Sequence, residues 1–154
     1  MLNSIDSKII RHLMSNARAT WSELGTLLKL SAPATADRVR RLEEKGVIKG
    51  YFAAVDPEAA GCGMAALISV SLSTSDARAQ FLSIIQEFPE VLECHHVAGD
   101  EDYILKVRCR TTRDLERLIS HDLKSIAGVS RTRTTVILST IKETSILPIS
   151  AGEG

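Results

Sequence analysis

The sequence predicts an α+β protein in two parts, an N-terminal helix-turn-helix of winged-helix-like type followed by a ferredoxin-like βαββαβ domain. Three observations predict it. Apolar residues in the first third recur at helical spacing between sharp capping signals. Beyond Gly61 and Gly63, strand-like alternation and helical spacing take turns. The apolar pattern of that second region also repeats itself: Leu67 matches Leu105, Phe81 matches Ile119, Ile85 matches Leu123, Phe88 matches Ile126 and Val91 matches Val129, each pair 38 residues apart.

Ile5, Ile9, Ile10 and Leu13 place the first helix over Ser4–Ser15. Thr20 and Glu23 have the T-x-x-E spacing of a capping box, and Trp21, Leu24, Leu27 and Leu28 form the apolar face of the helix it opens. Ser31 caps a third helix, with Pro33 tolerated in its first turn. Thr35, Val39 and Leu42 make its inward stripe, and Gly46 supplies a left-handed stop. Only Lys29-Leu30 separate the second and third helices, the connection length of a helix-turn-helix. Arg38, Arg41 and Lys45 fall on the side of the third helix away from Val39 and Leu42, an arrangement suited to a DNA groove. Val47 to Val55 reads as a strand and hinge closed by Asp56-Pro57.

In the second region, Ala66, Ile68, Val70 and Leu72 alternate with Leu67, Ser69, Ser71 and Ser73 as a first strand. Phe81, Ile84, Ile85 and Phe88 give a helix stopped by Pro89, and Val91–Ala98 a second strand. Tyr103, Leu105, Val107 and Cys109 alternate with polar residues in a third strand. Leu115, Leu118, Ile119, Leu123 and Ile126 form a second helix stopped by Gly128, and Val129–Lys142 the last strand. Two βαβ units of this kind leave both helices on one face of the sheet and the other face bare. The bare face predicts a homodimer packed sheet to sheet, and hence a palindromic DNA site. The expected domains are 1–50 for DNA binding, 51–60 as hinge, 61–143 for effector binding and oligomerisation, and 144–154 as tail.

Composition narrows the function classes. The 154-residue chain is 44% hydrophobic and 25% charged, values of a folded globular protein. No apolar run approaches the ~20 residues of a membrane span, and the N-terminus has no leader pattern. The odd set Cys62, Cys94 and Cys109 suits a reducing cytoplasm. Net charge is zero but uneven: residues 1–60 carry nine basic against seven acidic side chains, and residues 61–154 carry ten against twelve. The basic excess gathers in Arg38, Arg40, Arg41, Lys45 and Lys49, either a phosphate-binding cluster or a solvated helix face. Cys94, His95, His96 and Asp100 lack zinc-ligand spacing, so neither metal nor cofactor is expected. No phosphate loop, nucleophile elbow or catalytic triad pattern appears, so the chain is not read as an enzyme.

With both halves in place, the chain resembles the Lrp/AsnC family, the feast/famine regulators of bacteria and archaea. The likeness rests on Ile5-Asp6, Leu30-Ser31, the string from Arg38 to Glu43 (R-V-R-R-L-E), and Gly46 to Tyr51. It continues in Glu93-Cys94-His95, Gly99 to Lys106 (G-D-E-D-Y-I-L-K), Gly128-Val129 and Thr132-Arg133-Thr134. The resemblance implies a sequence-specific transcription regulator that binds double-stranded DNA, responds to a small-molecule effector of the amino-acid class, and assembles from dimers into an octamer. It implies DNA contacts at Ser31, Ala32, Ala34, Thr35, Arg38, Arg40 and Arg41. It implies an effector site of Gly99, Asp100, Glu101, Asp102 and Tyr103 with Thr132 and Thr134, where a carboxylate receives an ammonium and hydroxyls and backbone amides take a carboxylate. The alternative is an amino-acid-sensing oligomer whose helical domain binds a protein. Two residues depart from the family pattern: Lys29 stands where glycine is usual, and Gly25 where alanine is usual.

Overall fold

The computed structural model describes residues 2–150, which separate into two compact units. One unit combines residues 2–54 with 142–150, and the other is Val55–Ile141.

The first unit contains α1 (Ser4–Ser15), α2 (Trp21–Leu28) and α3 (Ala32–Glu44). Each helix start is closed by a side chain. Asn3 Oδ1 accepts the Asp6 N–H at 2.8 Å, and Ser31 Oγ accepts the Ala34 N–H at 3.3 Å. Thr20 and Glu23 form the reciprocal capping box, with the Thr20 N–H donating to Glu23 Oε2 at 2.7 Å. Caps of this kind stabilise a helix by about 1 kcal/mol each. Lys29 ends α2 in the left-handed conformation, φ 57°, where the family pattern has glycine. Gly25 has a packing reason: a Cβ there would lie 2.6 Å from the Leu30 carbonyl oxygen. Ile9, Ile10, Leu13, Leu24, Val39 and Leu42 form the core.

Residues 142–150 belong to this same unit rather than standing apart as a tail; residues 151–154 lie outside the described residues. Ile149 packs against the helical core, and the Leu147 N–H donates to Met14 Sδ at 3.4 Å. The strand expected over Val47–Val55 does not form. A strand requires a ladder partner, and none pairs with this segment among the described residues, which leaves Phe52 84% exposed.

The second unit contains β1 (Met64–Leu72), α4 (Ala77–Ile85), β2 (Val91–His96), β3 (Tyr103–Cys109), α5 (Thr112–Arg117, continued by a π-helical turn over Leu118–Leu123) and β4 (Val129–Ile137). The sheet order is β2-β3-β1-β4 with every pair antiparallel, the ferredoxin-like arrangement. The core lies on the face bearing Ile68, Val70, Leu105 and Val107, under Phe81, Ile85, Leu115, Leu118 and Leu123. The last strand ends at Ile137, short of the expected Lys142, because its partner strand runs out at the Ala65–Ile137 pair. β2 likewise stops at the His96–Tyr103 pair rather than at Ala98. Leu67, Ile104, Lys106 and Arg133 fall by register on the opposite face. Among the described residues no helix is long and apolar enough to cross a membrane.

Candidate functional sites

The outer side of α3 forms the first site. The helix buries Thr35, Val39 and Leu42 and turns Ala34, Arg40, Arg41 and Lys45 outward. Ser31 and Ala32 stand at its first turn, beside Ala34. Thr35 is a correction: it is fully buried and its hydroxyl donates to the Ser31 carbonyl at 3.0 Å, so it holds the helix start instead of facing a ligand. A cleft of about 490 Å³ runs between the start of α1 and α3, lined by Asp6, Ala34, Asp37, Arg38, Arg41 and Lys45 among others.

Every arginine on this surface has an acidic neighbour. Arg38 Nη1 donates to Asp6 Oδ1 at 3.0 Å. Asp37 divides its carboxylate, Oδ1 taking Arg40 Nη2 at 2.5 Å and Oδ2 taking Arg41 Nη2 at 2.8 Å. The hydrogen bond from Arg40 holds the Asp37 carboxyl below the usual carboxylate range. Just beyond the helix, Tyr51 donates to Glu43 Oε1 at 2.8 Å. Burial, then the bond to anionic Glu43, pushes the Tyr51 hydroxyl up to about 12.

The second site lies where the β2–β3 loop meets the end of β1. Asp102 is fixed by three bonds. Its Oδ2 accepts the Leu72 N–H at 2.7 Å, its N–H donates to the Val70 carbonyl at 3.0 Å, and its carbonyl accepts the Val97 N–H at 3.0 Å. Glu101 is paired with Arg133 of β4. Asp100 is exposed, and no hydrogen bond or ion pair engages it among the described residues. Gly99 is exposed beside it.

Tyr103 is 2% exposed, its ring in the core 4.9 Å from that of Phe81, and its hydroxyl has no partner among the described residues. Thr132 and Thr134 lie opposite Val70 and Ile68, on the helix-covered face at the β4 edge, whereas Arg133 between them lies opposite Ser69 on the bare face. The expected effector residues therefore do not all meet on one side of the sheet. The loop reaches β4 through Arg133, which sequence reasoning had placed only within a family string. Its signal was present: in a strand, the residue between two same-face threonines points the other way.

Cys94 is half-buried opposite Leu105, and His95 Nε2 lies 2.9 Å from Glu93 Oε2 on the other face. Among the described residues no group of three His, Cys, Asp or Glu side chains is placed to hold a metal.

Residues 2–49 match the winged helix-turn-helix DNA-binding family, and residues 65–147 match the Lrp/AsnC ligand binding domain. The chain is 40% identical to the HTH-type transcriptional regulator LrpA of Mycobacterium tuberculosis, over 90% of this chain and 91% of that one. It is 34% identical to the leucine-responsive regulatory protein of Haemophilus influenzae, over 95% and 89%. Among solved structures, a transcriptional regulator from Neisseria meningitidis in complex with L-Met superposes with a TM-score of 0.90 at 32% identity, covering 96% of this chain and 97% of that one.

Proposed function

Because the chain belongs to the Lrp/AsnC family of transcription regulators, we propose that it reads DNA with the outer face of α3 and answers to an amino acid held at the Gly99–Tyr103 loop. It is a DNA-binding regulator and not an enzyme. The DNA reading is carried by one observation: a capped helix that buries Val39 and Leu42 and leaves Arg40 and Arg41 about two-thirds exposed. Ser31, Ala32 and Ala34 approach the backbone at the helix start, and Arg38, Arg40 and Arg41 reach phosphates or base edges.

For the effector, the relatives' names speak of leucine and L-Met. An amino acid with an apolar side chain is the class carried over here. Asp100 is the loop carboxylate left free for its α-ammonium, because Asp102 is spent on Leu72 and Glu101 on Arg133. Arg133 and the backbone of Gly99 are the donors for its carboxylate. Thr132 and Thr134 line the β4 edge beneath them. The bare sheet face pairs two chains, dimers assemble further into an octamer, and the regulator works in the cytoplasm, where its three cysteines stay reduced.

A thermal-shift screen of the twenty amino acids tests the effector. A ligand that binds only the folded protein raises its Tm. Leucine or methionine is expected to do so, and Asp100→Asn to remove the shift. A flat response to all twenty overturns the assignment.

A further inference from the structure

The recognition helix carries its own phosphate substitute. Asp37 gives one carboxylate oxygen to Arg40 and the other to Arg41. The Arg40 and Arg41 side chains are 66% and 67% exposed, that of Asp37 36%. Arg40 has a second, longer neighbour in Glu44 at 3.9 Å, whereas Arg41 has only Asp37 among the ion pairs of the described residues. An oxyanion that takes two guanidiniums, one per oxygen, does what a DNA phosphate does on the same surface.

We propose that Asp37 is a specificity-determining residue, an internal competitor that withholds Arg40 and Arg41 from DNA backbone while orienting them for base edges. The proposal rests on the reading that α3 enters the groove. Its logic is the donor count of arginine. A guanidinium has five N–H donors in a fixed fork, so it can keep one bond to Asp37 and present its remaining edge to a guanine. A phosphate can take the same free edge, but it is an anion and would stand beside the Asp37 carboxylate, a like charge, whereas guanine offers neutral acceptors. Asp37 therefore penalises non-specific complexes and spares specific ones. Its place on the helix suits this: three and four residues before its partners, it lies one turn toward the N-terminus, where carboxylate-to-arginine pairs of this order are favoured.

The test compares wild type with Asp37→Asn, and with Asp37→Ala as a second variant, using the full chain. The probes are duplexes enriched by the wild-type protein from a random-sequence pool, and scrambled duplexes of the same composition. Binding is measured by fluorescence anisotropy across a salt series. Expected for Asp37→Asn is scrambled-duplex affinity raised about tenfold, with a log–log salt slope steeper by about one to two units, as one or two more phosphates are engaged. Affinity for the enriched duplex is expected to stay level or fall, so the specificity ratio drops. A ratio and slope equal to wild type in both variants overturn the proposal, as does a parallel loss on both duplexes. If wild type itself enriches and retains no duplex, the groove reading fails and this inference with it. If wild type binds in a salt-dependent, sequence-dependent way and the variants match it, only this inference fails.

Discussion

Asp102 Oδ2 accepts the backbone N–H of Leu72 at 2.7 Å, just past the Val70–Tyr103 pair at which the β1–β3 ladder ends. A strand N–H beyond the last pair has no ladder partner, and here a carboxylate from the neighbouring loop takes it. Asp102→Ala is accordingly expected to destabilise the unliganded protein by about 1–3 kcal/mol, the cost of an orphaned donor and a lost charge-assisted bond. Asp100→Ala is expected to leave Tm unchanged and to weaken only effector binding. Thermal unfolding beside calorimetric titration separates the two. Equal Tm for both variants would show that the Leu72 bond carries no stability.

Replacing arginines on α3 should weaken DNA binding. Arg38→Ala with Arg41→Ala is expected to lower affinity for the preferred duplex and to flatten the salt dependence by about one unit of slope, the share of one phosphate contact at Arg38. A correctly folded double variant with wild-type affinity and slope would move the DNA surface elsewhere.

The helix-turn-helix turn offers a gain and a loss four residues apart. Lys29 is held at φ 57°. Lys29→Gly removes the left-handed strain of a side-chain-bearing residue and should raise stability by roughly 1 kcal/mol. Gly25→Ala should lower it, because the added methyl meets the rigid Leu30 carbonyl at 2.6 Å. Chemical denaturation of both variants gives the signs directly.

Tyr51 predicts a pH limit. Its hydroxyl is pushed from 10.0 to about 12 by burial and by the bond to Glu43. A raised folded-state value means the neutral phenol stabilises the fold. That contribution is full below pH 10 and is lost as pH rises from 10 toward 12. Ultraviolet titration should find Tyr51 ionising late, and Glu43→Gln should bring it part of the way back toward 10. An ordinary midpoint in the wild-type protein would contradict the pairing.

The bare sheet face predicts assembly. Light scattering should give a dimer or a multiple of it at micromolar concentration. Leu67→Lys, which adds a charge beside Lys106 on that face, should shift the mass toward monomer. A stable wild-type monomer would rule out the sheet-to-sheet dimer.

Most of the fold was legible because its signals are local. The Ser4–Ser15 helix, the Thr20–Glu23 box and the strand alternation at Tyr103–Cys109 each follow from neighbouring residues. What was not legible depends on partners distant in sequence. Val47–Val55 has strand composition but no ladder to join. Leu118 and Leu123 are both buried though five residues apart, one more than an α-helix allows on a single line. The π-helical turn absorbs that extra residue, and the Lys124 N–H reaches back to the Ile119 carbonyl. The spacing was visible, but it looks like ordinary helical scatter until both ends are known to be buried. At the sites, residue types identified the α3 surface and the acidic loop. They did not show that Asp102 serves the backbone, or that Arg133 rather than the flanking threonines meets Glu101.

Ile149 packs onto the core of a unit whose other core residues lie before position 55. On the ribosome, that order has a consequence in time. All of Val55–Ile141 is synthesised between the third helix and the segment that packs beneath it. The sensing domain is one continuous stretch, whereas the helical unit gains the contact of Ile149 only from residues made after that stretch.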